Sequence, residues 1–308
     1  MKDGRMPPTS KSDHISACIC TFKRPEMLAH ALEGVTSQIA ETAFSFEIVV
    51  VDNDSKRSAE DIVRSFQKNK DLHIIYDCEP EQNIALARNR AIKNGIGNLI
   101  AFIDDDEFPE PTWLLNLYRT LISSKADGVL GPVIPHFETK PPQWIIKSKI
   151  LERPSFKTGT VLRAGHTRTG NVLLKRSIFE LEKRAFDPKF GRTGGEDGDF
   201  FRRMIDKGHT FVWCNEAPVY ETIPPERFKR SYFIKRAIMR GVSEVKLNRW
   251  SKIGVIKSII GCSIYTLILP FLLIFGHHLF MKCLIKDFDH ISKLLALCGI
   301  EMLKERNF

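Results

Sequence analysis

Apolar positions in the first 134 residues come in short runs separated by stretches of helical period. ISACICT (15–21), FEIVVVD (46–52), LHIIYDC (72–78), LIAFIDD (99–105) and GVLGPV (128–133) have the length and Val/Ile content of buried parallel strands. Helices are predicted between them over about 25–38, 59–70 and 84–94, with a fourth after Pro111. This alternation implies a twisted, mostly parallel sheet with helices on both faces, and in such sheets ligands bind beyond the carboxyl ends of the strands. Residues 135–170, rich in Pro, Lys and Thr, have no clean period and are expected to form a long functional loop region. After them come a strand at NVLLK (171–175), a short helix, the Gly-rich segment GRTGGEDGD (191–199), a helix over 200–206, a strand at HTFVWCN (209–215) and a basic helical stretch from 225 to about 249. No internal repeat or low-complexity tract interrupts them.

The tail follows a different pattern. From Ser258 to Met281 there is no Asp, Glu, Lys or Arg, and a helix needs only about 20 such residues to cross a roughly 30 Å hydrocarbon core. Lys252 and Lys257 precede this stretch, and Lys282 and Lys286 follow it. Pro270 and the pair His277 and His278 argue against a simple straight span, so a crossing, a re-entrant or in-plane segment and a buried core helix all stay open. A second amphipathic stretch over 291–303 is expected to lie on the surface or pair with the first. The expected organisation is a polar N-terminal tail (1–13), a catalytic domain (14–248, in halves 14–134 and 135–248) and C-terminal membrane-associated helices (249–308).

Composition sharpens this picture. With 308 residues and 43% hydrophobic content, a sizeable core is affordable, and intrinsic disorder and a small disulfide scaffold are excluded. A formal net charge of +9 suggests phosphate-backbone binding, but residues 1–134 hold 15 Lys+Arg against 20 Asp+Glu, leaving 31 against 17 in the remainder. The excess therefore lies wholly in the second half, and an acidic first half disfavours nucleic acid as a partner. The nine cations Arg227, Lys229, Arg230, Lys235, Arg236, Arg240, Lys246, Arg249 and Lys252 precede the apolar tail, where anionic lipid attracts basic segments. For the first few a solvated helix face and a place at the membrane both stay open, and those nearest Trp250 are expected against membrane or a lipid pyrophosphate. The seven cysteines are scattered, odd in number and mostly within apolar runs, which reads as core thiols in a reducing compartment. Residues 1–14 contain no apolar signal-peptide core, so the catalytic part is expected on the cytoplasmic side of the inner membrane.

The chemistry stands where the strands end. The first predicted strand runs into Thr21-Phe22-Lys23-Arg24-Pro25, the second into Asp52-Asn53-Asp54-Ser55 and the fourth into Asp104-Asp105-Asp106-Glu107. Each alone could be a cap, a turn or solvated charge. In a parallel sheet all three fall on one edge. Four consecutive acids repel one another, and a hard divalent cation such as Mg²⁺ or Mn²⁺, sharing its shell with substrate phosphates, relieves that cost. Neither G-x-G-x-x-G nor the P-loop motif is present, which counts against dinucleotide dehydrogenases and P-loop NTPases. A second carboxylate pair, Glu196-Asp197, follows Gly194-Gly195 at the expected start of a helix, with Asp199 close behind. It reads either as ordinary helix-dipole complement or as a general base on a flexible loop facing the metal.

TFKRPE, VVVDNDS, NIALARNRA, LIAFIDDDE and GGEDGDFFRR, in this order and spacing, resemble the family 2 inverting glycosyltransferases of the GT-A fold, over about residues 14–245. ICTFKRPE, DNDS, NIALARN and VYETIPPER look most like bacterial exopolysaccharide glucosyltransferases. The resemblance implies a single α/β GT-A domain that moves a hexose, glucose in the first instance, from a UDP-sugar to a lipid-linked saccharide. It also implies that Thr21, Phe22 and Arg24 border the nucleotide base, that Asp52 and Asn53 read uracil and ribose, and that Arg88 and Asn89 line the nucleotide-sugar site. Asp104 and Asp106 would hold the metal, with Asp105 between them at the nucleotide. Asp197 would be the catalytic base, and Glu196 its acceptor-binding neighbour. Many relatives carry a late His where this chain has Tyr220-Glu221, which leaves a third metal ligand open, Glu221 being an oxygen donor in that place. Two alternatives remain: a sugar nucleotidyltransferase, disfavoured because TFKRPE has no glycine to cradle a triphosphate, and a non-catalytic nucleotide-sugar-binding relative.

Overall fold

A computed structural model describes residues 13–68, 72–180, 182–247 and 251–303. Strands β1 (Asp13–Thr21), β2 (Phe44–Asp52), β3 (Ile74–Cys78) and β4 (Leu99–Asp104) alternate with helices α1 (Pro25–Thr36), α2 (Glu60–Gln67) and α3 (Ile84–Asn94). They are followed by β5 (Glu107–Pro109), α4 (Trp113–Ser124), β6 (Gly128–Leu130), β7 (Val133–His136), α5 (Gln143–Ser148), β8 (Val172–Lys175) and α6 (Ser177–Glu180). The chain continues through α7 (Glu196–Asp206), β9 (Phe211–Trp213), β10 (Val219–Thr222), α8 (Arg230–Lys246), α9 (Lys252–Phe275) and α10 (His277–Leu297).

Seven strands form the main sheet in the order β3-β2-β1-β4-β8-β6-β9; β8 runs antiparallel to both of its neighbours, while the other pairs are parallel. The fold is a mixed and mostly parallel α/β sheet, as expected. Period-two alternation sorts the side chains. Ile15, Ala17, Ile19, Ile48 and Val50 pack with α1, α2 and α4 on one face, and Cys18, Val49, Val51, Ile100 and Phe102 pack with α3, α6 and α7 on the other. A third cluster joins Ile145 of α5, Tyr232, Phe233 and Ala237 of α8, and Met281 and Ile285 of α10.

Several expectations are corrected. GVLGPV is not one parallel strand: Gly131-Pro132 breaks it, and β6 stays in the main sheet while β7 joins β5 and β10 in a small second sheet. A Cβ at Gly131 would lie 2.3 Å from the Ala217 carbonyl oxygen, so backbone fills the space a strand residue would need. The 135–170 region holds the end of β7 and the helix α5. Glu196 opens α7, which begins four residues before the expected helix. In the tail α9 runs unbroken through Pro270 and ends before Gly276, whose φ of 132° suits only glycine. The second helix starts at His277, well before residue 291, and residues 298–303 lie beyond it. The boundary expected at 248–249, the polar tail up to residue 12, Arg249 and Trp250 lie outside the described residues.

Candidate functional site

The sheet register brings the strand ends together. Thr21 pairs with Asp52 across β1 and β2, and Cys20 pairs with Asp104 across β1 and β4, so the three polar clusters share one edge. They open into a cleft of about 430 Å³ lined by Thr21, Phe22, Arg24, Asn53, Arg88, Asp104, Asp105, Asp106 and Glu196. Asp52, Asn89 and Asp197 are not among its lining residues. The Asp52 carboxylate is fully buried and accepts from the Asp54 and Ala59 amides at 3.0 and 2.7 Å and from the Tyr76 hydroxyl at 3.1 Å. It therefore fixes the turn after β2. Asn53 donates to the Glu79 and Glu81 carbonyls and accepts from the Asn83 amide at 2.8 Å, which positions Gln82 and Asn83 on the cleft wall. Asn89 exchanges two hydrogen bonds with the Phe186 backbone and holds the segment leading towards α7.

The carboxylates meet a ring of arginines. Thr21 Oγ1 donates to Asp105 at 2.8 Å, and Arg24 Nη1 reaches Asp105 and Asp106 at 3.2 and 3.4 Å. Arg227 donates to Asp106 at 2.7 Å and to Glu221 at 3.0 Å, while Arg153 bonds the other Glu221 oxygen. Across the cleft, buried Arg88 of α3 bonds buried Glu196 at the start of α7 and stands 3.5 Å from Asp104. Gly194 and Gly195, at φ of 82° and 107°, give the left-handed turn that brings Glu196 inward. Glu196-Asp197 thus sits on the first turn of a helix, the place the sequence suggested for it, and not on a flexible loop.

Electrostatics follow burial. Burial pushes the Asp105 carboxyl up to about 6 against the pull of Arg24, and Asp106 adds to the rise. Burial, then Asp104, hold Glu107 well above the carboxylate range. Burial also acts to lower the Arg88 pKa, but Glu196, Asp104 and Asp197 outweigh it and keep the guanidinium more firmly protonated than usual. Asp197 is half-buried, and its Oδ1 accepts from the Gly198 amide at 2.6 Å.

The donors available to a metal are all oxygen, which fits a hard divalent ion. Asp104 leaves 45% of its side chain exposed, and Glu107 Oε1, buried beside it, has no hydrogen-bond partner among the described residues. As they stand, no three acidic, His or Cys side chains among the described residues converge as a ligand set. Asp105, Asp106 and Glu221 are instead paired with Arg24, Arg227 and Arg153.

Sequence reasoning missed Arg153, Gln82, Asn83, Arg192 and Tyr232 on the cleft wall. It also put Arg227 on the basic surface, whereas its side chain is 13% exposed and bridges Asp106 to Glu221. Other cations of that stripe pair internally: Arg240 with Asp289, and Lys246 with Glu301. Arg168, half-buried near Asp197 and Glu107, forms no ion pair among the described residues.

A family model described as glycosyl transferase family 2 matches residues 16–180. The succinoglycan biosynthesis protein ExoM of Rhizobium meliloti is 34% identical over 237 residues, 76% of this chain and 75% of ExoM. Among solved structures, S. aureus TarS aligns with a TM-score of 0.53 and 14% identity over 92% of this chain, which spans 55% of TarS. Its 1–349 portion has been solved in complex with UDP. The mannosyltransferase PcManGT from Pyrobaculum calidifontis, solved with GDP-Man and Mn²⁺, aligns with a TM-score of 0.58 and 18% identity over 81% of this chain and 68% of PcManGT.

Proposed function

Since the chain belongs to glycosyl transferase family 2 and is a transferase, we propose that it moves a hexose, glucose in the first instance, from a UDP-sugar to a hydroxyl of a lipid-linked saccharide. The product would be a lipid-linked saccharide longer by one hexose, a step in bacterial exopolysaccharide or cell-surface polysaccharide synthesis at the cytoplasmic face of the membrane. The observation that carries this reading is the meeting of three strand-end clusters in one cleft whose wall also holds Glu196, with Asp197 next to it on the first turn of α7. The name of ExoM supports the polysaccharide class, and the UDP complex of TarS supports the donor.

In this reading Thr21, Phe22, Arg24 and Asn53 border the base and ribose. Asp52 acts by shaping the turn that presents Asn53, and Asn89 by holding the segment before α7. A divalent ion, Mg²⁺ or Mn²⁺, would be held by Asp104 and Asp106, with Asp105 and Glu221 beside them, and when bound it would neutralise charge on the diphosphate. Arg24, Arg88 and Arg227 give the same edge fixed positive charge. Asp197 takes the proton from the acceptor hydroxyl. That oxygen then bonds to the anomeric carbon as the bond to the β-phosphate oxygen breaks and UDP departs. Attack from the opposite face turns an α-linked donor into a β-glycoside, with no covalent intermediate. Glu196, held by Arg88, orients the α7 turn and the acceptor.

The test is a screen of UDP-sugars for hydrolysis and transfer, with Mn²⁺ and Mg²⁺ compared and a lipid-linked saccharide as acceptor. Asp197→Asn is expected to lower turnover by 10²-fold or more, on the order of a lost general base, while UDP still binds. Full turnover by that variant would move the base elsewhere.

A further inference from the structure

The 24 residues of α9 include an 18-residue window of mean hydropathy 2.2, only 6% of which is buried, so this is not a core helix. Its amphipathicity is reversed. The stripe Gly254, Ser258, Gly261, Cys262 and Tyr265, spaced at three and four, is the less exposed side. There Tyr265 stacks on His290 of α10 with ring centroids 5.7 Å apart, and a Cβ at Gly261 would lie 2.9 Å from His290 Nε2. Nearby, Thr266 donates to Asp287 at 3.1 Å. Ile256, Ile260, Leu267, Phe271 and Ile274 point away from the protein, with Ile274 81% exposed. Small groups meet the protein over the first half of this side, which Leu269 and Leu272 continue, while the large apolar groups on the rest of the helix face outward, which suits a helix whose other neighbour is hydrocarbon.

We infer that α9 lies in the plane of one leaflet, its outer face in the acyl chains, and does not cross the bilayer; this rests on the membrane-associated reading above. The reason is what runs beside it. α10 returns antiparallel along α9: Asp287 meets Thr266 and His290 meets Gly261, while Lys286 Nζ lies 5.9 Å from the Tyr265 ring, near the midpoint of α9. Lys282 and Lys286 are exposed on α10, and Asp287 is buried. α10 is itself tied to α8 by the pairs Arg240–Asp289 and Glu244–Lys293 and packs on α5. A crossing α9 that kept these contacts would carry Lys286, Asp287 and the ion pairs behind them to the bilayer centre, where charge is disfavoured. In the plane of the leaflet the same lysines extend to anionic headgroups. The geometry also brings the cleft close to the membrane. α8, about 25 Å long, has Tyr232 and Arg236 on the cleft wall near its start and contacts α10 through Gly241. A lipid-linked acceptor would then reach the cleft with its lipid still in the leaflet.

The experiment uses the full chain with a single reporter at Ile256→Trp, Leu267→Trp or Ile274→Trp. Each variant is bound to phosphatidylethanolamine and phosphatidylglycerol vesicles carrying lipid brominated at shallow or deep acyl positions, with the unsubstituted protein as background. In-plane insertion of about 5–10 Å predicts that the shallow label quenches all three reporters more strongly than the deep one, and to a similar degree. Deepest quenching at Leu267→Trp with shallow ends would establish a crossing and overturn the inference while leaving membrane association intact. Absence of both quenching and vesicle flotation for all three, with donor hydrolysis retained, would instead overturn the membrane reading itself.

Discussion

Arg88 and Glu196 illustrate how single residues carry this site. Both are almost fully buried and bonded to each other across the cleft, with 9% and 7% of their side chains exposed. Removing one partner of a buried pair costs roughly 3–5 kcal/mol, because the other charge stays desolvated. Arg88→Ala is therefore expected to lower stability in urea denaturation by that amount and to abolish transfer. Arg88→Met combined with Glu196→Leu should recover most of the stability and none of the activity. Recovery of activity by the double variant would count against Glu196 as an acceptor-orienting group. At Asp106, substitution by Ala is expected to remove the metal dependence of UDP binding in titration calorimetry, and affinity that still responds to EDTA would count against it as a ligand. The acidic cluster was legible in the sequence because four acids directly follow a buried strand. Of the cations around it Arg24 and Arg88 were legible as well, but Arg227 and Arg153 were not, because Arg227 pairs with Asp106, 121 positions away, and Arg153 with Glu221, 68 positions away. No local pattern carries that information.

At the scale of elements, the break after β6 depends on Asn171. This residue has φ 58° and is fully buried, and its side chain accepts from Trp113 Nε1 at 2.8 Å and donates to the Pro132 and Ala217 carbonyls at 2.8 Å each. One amide therefore ties α4, the β6–β7 break and the approach to β10 together at the point where the two sheets part. Asn171→Ala leaves a buried indole N–H and two carbonyls without that partner, at about 1–3 kcal/mol for each unsatisfied group. A loss of several kcal/mol in chemical denaturation is expected, with Asn171→Asp no milder, because a buried carboxylate oxygen would then face the two carbonyl oxygens with no proton to donate. The sequence reads as a strand through 128–133 because local apolar content cannot register a partner 40 residues downstream. Strands β1, β2 and β4 were legible because each carries its own period and its own polar terminus, and parallel register does the rest.

The whole molecule divides its charge and its apolar surface unevenly. The basic second half faces less solvent than its composition suggests, since Arg227 is drawn into the cleft and Arg240, Lys246 and Lys293 pair within the C-terminal helices. Those helices are not an appendage. Met281 and Ile285 of α10 complete a cluster with Tyr232 and Phe233 of α8, and Tyr232 also lines the cleft. Truncation after residue 247 should therefore do more than remove the proposed membrane contact. It opens this cluster to water, at about 25 cal/mol for each Å² of apolar area exposed, and is expected to raise hydrogen exchange across α8 and to lower transfer even to a soluble acceptor. The membrane contribution is isolated by changing only the outer face of α9. Ile260→Gln, Leu267→Gln and Ile274→Gln together leave the α10 contacts in place. That triple variant should keep the thermal midpoint and the turnover of a soluble acceptor in detergent while losing flotation with anionic vesicles. Equal loss of stability in the truncation and the triple variant would mean that the outer face of α9 is buried against protein in solution.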